Sequence, residues 1–80
     1  MSTYRIVFDT AQLADIWGEF PTDIAAYAAA YKAIAEQPYP PANGRDVATC
    51  ATVYKTYDGT GVLGIHAHVN ELGEVDFVAD

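Results

Sequence analysis

The sequence predicts an α+β fold: an antiparallel sheet of 3–4 strands with two helices packed on one face, in the order β-α-α-β-β-β. Three observations carry this expectation. Residues 3–8 alternate apolar and polar as a half-buried strand does. Residues 22–37 place their apolar side chains at helical offsets. From Val47 onward the chain is rich in Val, Thr and Tyr and is punctuated by two hairpin signals, Asp58-Gly59-Thr60-Gly61 and Glu71-Leu72-Gly73.

Taken in order, Tyr4, Ile6 and Phe8 point to one side of the first strand, with Arg5 and Val7 on the other. Asp9-Thr10 offers a helix cap, with Gln12 three residues after Asp9 as a loose capping box. Leu13, Ile16, Trp17 and Phe20 follow at helical spacing, so a short helix is expected over about residues 10–19, ended by Gly18 and Pro21. The long helix runs from a cap at Thr22 or Asp23 to Gln37, where Pro38 stops it. Its residues Ile24, Tyr27, Tyr31 and Ile34 are expected to cover the sheet. Pro38 to Gly44 holds three prolines and an Asn-Gly turn signal, and forms a stiff connector.

Three strands then follow: Val47 to Tyr57, Val62 to Asn70 and Glu74 to Ala79. A two- or four-residue first loop puts Ala48, Cys50, Thr52 and Tyr54 on the core face with Leu63, Ile65, Ala67 and Val69. A three-residue second loop, with Gly73 left-handed, adds Val75 and Phe77 to that face. The opposite face carries Thr49, Ala51, Val53, Lys55, His66, His68, Asp76 and Val78. It is too apolar to be merely solvated, which suits a partner or dimer surface.

Eighty residues make one domain, 1–80, near the lower size limit for a core without staples. A single cysteine forbids an internal disulfide, which fits a reducing compartment. The first ten residues lack the features of a signal peptide, and no apolar run reaches membrane-spanning length. A cytoplasmic protein is expected. A net charge of −7, from eleven acids against four bases, argues against direct binding to nucleic acid and favours a basic partner.

Four sets of residues invite chemistry. His66 and His68, two apart on a strand, share a face in the expected register, with His68 across from Asp76. Two nitrogens and a carboxylate make an open metal site conceivable, against two ordinary surface histidines. Cys50 lies on the core face in that register, away from both histidines, and reads as a small buried hydrophobe rather than a nucleophile. Tyr39, in the connector, and Tyr57, beside the first turn, are contact candidates, because Tyr is enriched at interface hot spots. No phosphate loop or zinc-cysteine pattern occurs. The chain is expected to be no enzyme and to need no cofactor.

The distribution of charge remains. Asp9, Asp15, Glu19 and Asp23 form a block with no Lys or Arg among them, and Asp58, Glu71, Glu74, Asp76 and Asp80 form a second. On the expected first helix Asp15 and Glu19 repel at i, i+4, and stability alone would interleave the signs. A small, acidic, single-domain chain with two such blocks and no catalytic motif resembles the phage- and mobile-element-encoded anti-CRISPR proteins that mimic DNA. The resemblance implies a non-enzymatic inhibitor acting in the host cytoplasm. Its acidic blocks would occupy a basic nucleic-acid-binding surface of a defence effector or nucleoprotein complex. The alternative is a small adaptor that self-associates, as a homodimer, through the second face of its sheet.

Overall fold

In the computed structural model, residues 2–37, 47–56 and 61–78 are described. They form β1 (Ser2–Phe8), β2 (Ile16–Phe20), α1 (Asp23–Ala35), β3 (Cys50–Lys55), β4 (Gly64–Asn70) and β5 (Val75–Phe77). All neighbouring strands are antiparallel, in the spatial order β2-β1-β3-β4-β5. The α+β class holds, but the sheet has five strands and one helix covers it.

The expected helix over residues 10–19 is a turn followed by β2. Ile16, Trp17 and Phe20 fit a helix stripe, yet IWGEF also alternates, and β1 offers an edge with which to pair. Ser2 pairs with Phe20, Tyr4 with Gly18 and Ile6 with Ile16. Gly18 costs a helix interior about 1 kcal/mol relative to Ala. The strand also removes the Asp15–Glu19 repulsion, since Asp15 lies just before β2 and binds Arg5. Asp9 and Thr10 cap no helix. The Asp9 carboxylate accepts from the Thr49 N–H at 3.0 Å and its hydroxyl at 2.8 Å, and the Thr10 hydroxyl accepts from the Gln12 N–H at 3.2 Å.

The Thr22 hydroxyl caps α1 by accepting from the Ala25 N–H at 3.1 Å. Gln37 fastens the other end. Its amide nitrogen donates to the carbonyls of Ile34 and Ala48, each at 2.9 Å, and its oxygen accepts from the Ala48 N–H at 2.8 Å. Ala26, Tyr27, Ala30 and Ile34 of α1 are buried against the sheet. Ile24 and Tyr31, expected in that stripe, point outward instead, 76% and 41% exposed. The small side chains of Ala26 and Ala30 let the helix approach the sheet, and they take the buried places beside Tyr27 and Ile34 in place of Ile24 and Tyr31.

The core joins that stripe to Tyr4, Ile6 and Phe8 of β1, to Ala48, Ala51 and Val53, and to Ala67 and Val69 of β4. The expected faces of β3 are therefore exchanged. Ala51 and Val53 lie beneath the helix, while Cys50, Thr52 and Tyr54 face away. Val53 pairs with Ala67, but Tyr54 pairs with Ile65, so His66 is the extra residue of a bulge. The bulge turns Ile65 to the outer face with Tyr54 and His66 to the helix side.

The β4–β5 connection matches expectation. Asn70 and Glu74 close a three-residue loop, the Gly73 N–H donates to the Asn70 carbonyl at 3.0 Å, and Gly73 has φ 82°. Among the described residues no helix is long and apolar enough to cross a membrane.

Candidate functional site

β1 runs from the neighbourhood of Phe20 and Lys55 toward Ala51, so each end of the sheet has its own set of loops. The β1–β2 loop, the lead into β3 and the β4–β5 turn share one end. The start of α1 sits at the other, beside Tyr4, Lys55 and His66.

At the helix end, Asp23 is the hub of a polar cluster. Its Oδ1 accepts from Lys55 Nζ at 2.6 Å and from the Tyr4 hydroxyl, and its Oδ2 lies 3.3 Å from His66 Nε2. That nitrogen also shares a 2.6 Å hydrogen bond with the Tyr27 hydroxyl. The Lys55 ammonium, then the Tyr4 hydroxyl, hold the Asp23 carboxyl below the usual carboxylate range. The same bond to Asp23 raises Lys55 above the ordinary lysine value. Burial, then Asp23, pushes the Tyr4 phenol up. Protons thus stay on Lys55 and Tyr4 and off Asp23, the chemistry of a clamp between helix and sheet. Asp23, expected as a contact residue, is committed to this clamp.

At the opposite end stand most of the other carboxylates. Asp9, Glu71 and Glu74 are exposed there, and Asp76 is exposed one row inward on the outer face of β5. Glu19 is exposed on the outer face of β2. Asp15 is not among the unpaired acids. Arg5 Nη2 donates to its Oδ2 at 2.7 Å and Nε at 3.1 Å. The Arg5 guanidinium lies between two rings of the outer face, 5.1 Å from the Trp17 centroid and 6.0 Å from that of Tyr54. Lys32 and Glu36 form an exposed pair at 3.9 Å. The described bases, Arg5, Lys32 and Lys55, each meet a carboxylate of their own chain. Asp9, Glu19, Glu71, Glu74 and Asp76 meet no cation among the described residues. Asp58, Asp80, Tyr39 and Tyr57 lie outside those residues.

The bulge dissolves the expected histidine pair. His66 faces the helix clamp, whereas His68 faces out, opposite Asp76 on one side and Thr52 on the other. The two imidazoles cannot share an ion, and among the described residues no three His, Cys, Asp or Glu side chains are placed to hold one. The exchanged faces of β3 bring Cys50 to the side of His68 after all. Both line a pocket of about 280 Å³ with Asn70, Glu74 and Asp76. Burial and then the Asp9 charge push the Cys50 thiol above its ordinary value, which disfavours the thiolate that a nucleophile needs. His68 Nδ1 lies 3.1 Å from the Thr52 hydroxyl, and no hydrogen bond joins it to Cys50 among the described residues.

Two surfaces escaped the sequence reading. One is the part of the outer sheet face that β2 adds, around Trp17, 60% exposed; the sequence pattern places Trp17 on a helix and draws that face from the later strands alone. The other is an apolar groove of about 470 Å³ between α1 and the β4–β5 turn, lined by Ile24, Ala28, Tyr31, Leu72 and Val75 among others. Leu72 was a legible signal, a large apolar residue in an otherwise polar turn. Compared with known families, curated proteins and solved structures, the chain matches none.

Proposed function

We propose that the protein is a non-enzymatic inhibitor whose carboxylates meet a basic nucleic-acid-binding surface of a CRISPR or other defence effector complex and block its binding to DNA. The observation that carries this reading is the asymmetry of pairing. Each described base is neutralised within the chain, while five described carboxylates face solvent with no cation beside them among the described residues. Lys and Arg that otherwise hold phosphates would meet those carboxylates, and long-range attraction would steer the encounter. The protein acts in the cytoplasm of the host cell on this reading.

The test is capture from host lysate at low and high salt, followed by competition with DNA for the captured complex. Retention of a basic nucleic-acid-binding complex at low salt only is expected. The charges to reverse are Glu71 and Glu74, or Glu19 and Asp76, because Asp15 and Asp23 are held by internal cations. Each double reversal to Lys should weaken inhibition and leave the melting temperature nearly unchanged. Inhibition indifferent to both reversals and to salt would sink the reading.

A second reading, a self-associating adaptor, draws on the uncovered outer face with Trp17 and Ile65 exposed. Light scattering at rising concentration separates the two, since a strict monomer excludes it.

A further inference from the structure

Helix α1 is apolar on more than the side that faces the sheet. Its thirteen residues, DIAAYAAAYKAIA, include only two charged ones, Asp23 and Lys32. A helix that is apolar all round belongs between two layers, and among the described residues α1 has one. Its second stripe is Ile24, Ala28 and Tyr31, at i, i+4 and i+7, the spacing at which one helix presents a seam to another. That stripe forms one wall of the groove, and Leu72, 74% exposed, stands on the other with Val75. Tyr31 lies over Gly73 so closely that a Cβ there would sit 3.4 Å from its ring, which fixes the groove floor. Glu71 precedes Leu72 in the turn and is exposed, while Glu74 turns to the outer-face pocket with His68 and Asp76.

We infer that this groove is the docking site for a basic amphipathic helix of a partner protein. Its apolar stripe would lie on Ile24, Tyr31 and Leu72, and its Lys or Arg would reach Glu71, exposed next to Leu72 in the turn. The wall from Ile24 to Tyr31 extends about 10 Å, two helical turns, which suits a partner helix with apolar residues at i, i+3, i+4 and i+7. A second copy of this chain fits poorly. A two-fold contact would bring Glu71 of one copy to the same groove on another, and each copy carries a net charge of −7. This inference rests on the proposed basic partner and names the element that the partner would insert.

The test uses isotope-labelled protein and synthetic peptides of about 15 residues, long enough to support helix. One carries Leu at i, i+3, i+4 and i+7 with Lys elsewhere. A second is the same composition scrambled, and a third replaces Lys with Glu. The first should bind and shift the amide signals of Ile24, Tyr31 and Leu72. The double variant I24S/L72S, changed only at exposed positions, should bind it about tenfold or more weakly and melt as the parent does. Failure of the first peptide to bind, shifts centred on Trp17, or equal binding by the double variant would overturn the groove. Equal binding by the scrambled peptide would overturn it too, while leaving the charge-based function standing. Equal binding by the Glu peptide would overturn the basic partner and, with it, that function. A dimer in solution with Ile24 and Leu72 protected would assign the groove to a second copy instead.

Discussion

Lys55 Nζ lies 2.6 Å from Asp23 Oδ1, so the last residue of β3 and the first of α1 are joined by one ion pair on the helix side of the sheet. Asp23→Ala is expected to lower the unfolding free energy by about 1–2 kcal/mol, a charge-assisted bond discounted for partial exposure. The pH dependence follows from the shifts. Asp23 titrates lower in the folded protein than in the unfolded chain. Its contribution is therefore whole above the ordinary carboxyl value of about 3.9 and is lost as pH falls through the folded value. Lys55 and Tyr4 titrate higher when folded, so stability declines as pH rises above about 10. Urea titrations across pH check this. An acid limb as steep in Asp23→Ala as in the parent would show that other carboxyls produce it.

Gln37→Ala removes three hydrogen bonds, one to the Ile34 carbonyl of α1 and two to Ala48 in the lead into β3, and leaves the buried Ala48 backbone without its side-chain partner. A loss of about 1–3 kcal/mol is expected. Gln37→Glu should be worse at neutral pH, since a carboxylate would face two carbonyl oxygens in place of the amide N–H group. Melting temperatures report both, at roughly 4–8 °C per kcal/mol for a domain of this size. A harmless Gln37→Glu would mean that the amide is not the fastening group.

Gly73→Ala puts a Cβ on a left-handed residue and against the Tyr31 ring. A cost of about 1–2 kcal/mol is expected, and a smaller one for Gly73→Asn, since Asn visits this region more readily. Equal melting of the three proteins would show that the turn relaxes to another shape.

Cys50 should alkylate slowly. Its thiol is raised by burial and by Asp9, so iodoacetamide at neutral pH should modify it more slowly than a small free thiol. The rate should climb at alkaline pH, and Asp9→Asn should speed it. Reaction faster than that of the free thiol would contradict the assigned environment.

Much of this fold was legible in short-range pattern. The alternation of β1, the cap at Thr22, the loop closed at Gly73 and the pairing of His68 with Asp76 all follow from local spacing. What escaped was decided between distant segments. IWGEF satisfies both periods, and only the waiting edge of β1 makes it a strand. The faces of β3 depended on where an extra residue would fall, and the bulge at His66 falls within the strand pair. The same event explains the histidines, which part company across a sheet that spacing alone would have them share. Charge was readable as a sum but not as a pairing: nothing in the order of residues says that Asp15 belongs to Arg5 and Asp23 to Lys55.

The strand order has a consequence for how the chain reaches this state. β1 pairs with β2 across a short loop, but its other edge waits for β3, which follows the whole of α1 in sequence. Until β3 arrives, the nascent hairpin shows an open row of backbone donors and acceptors beside Tyr4, Ile6 and Phe8, a template for the wrong strand. Closing that row requires a long-range contact, so folding should be slower than a sheet of successive hairpins would allow. Fragments ending after the helix should be the aggregating species, and crowded expression should favour them.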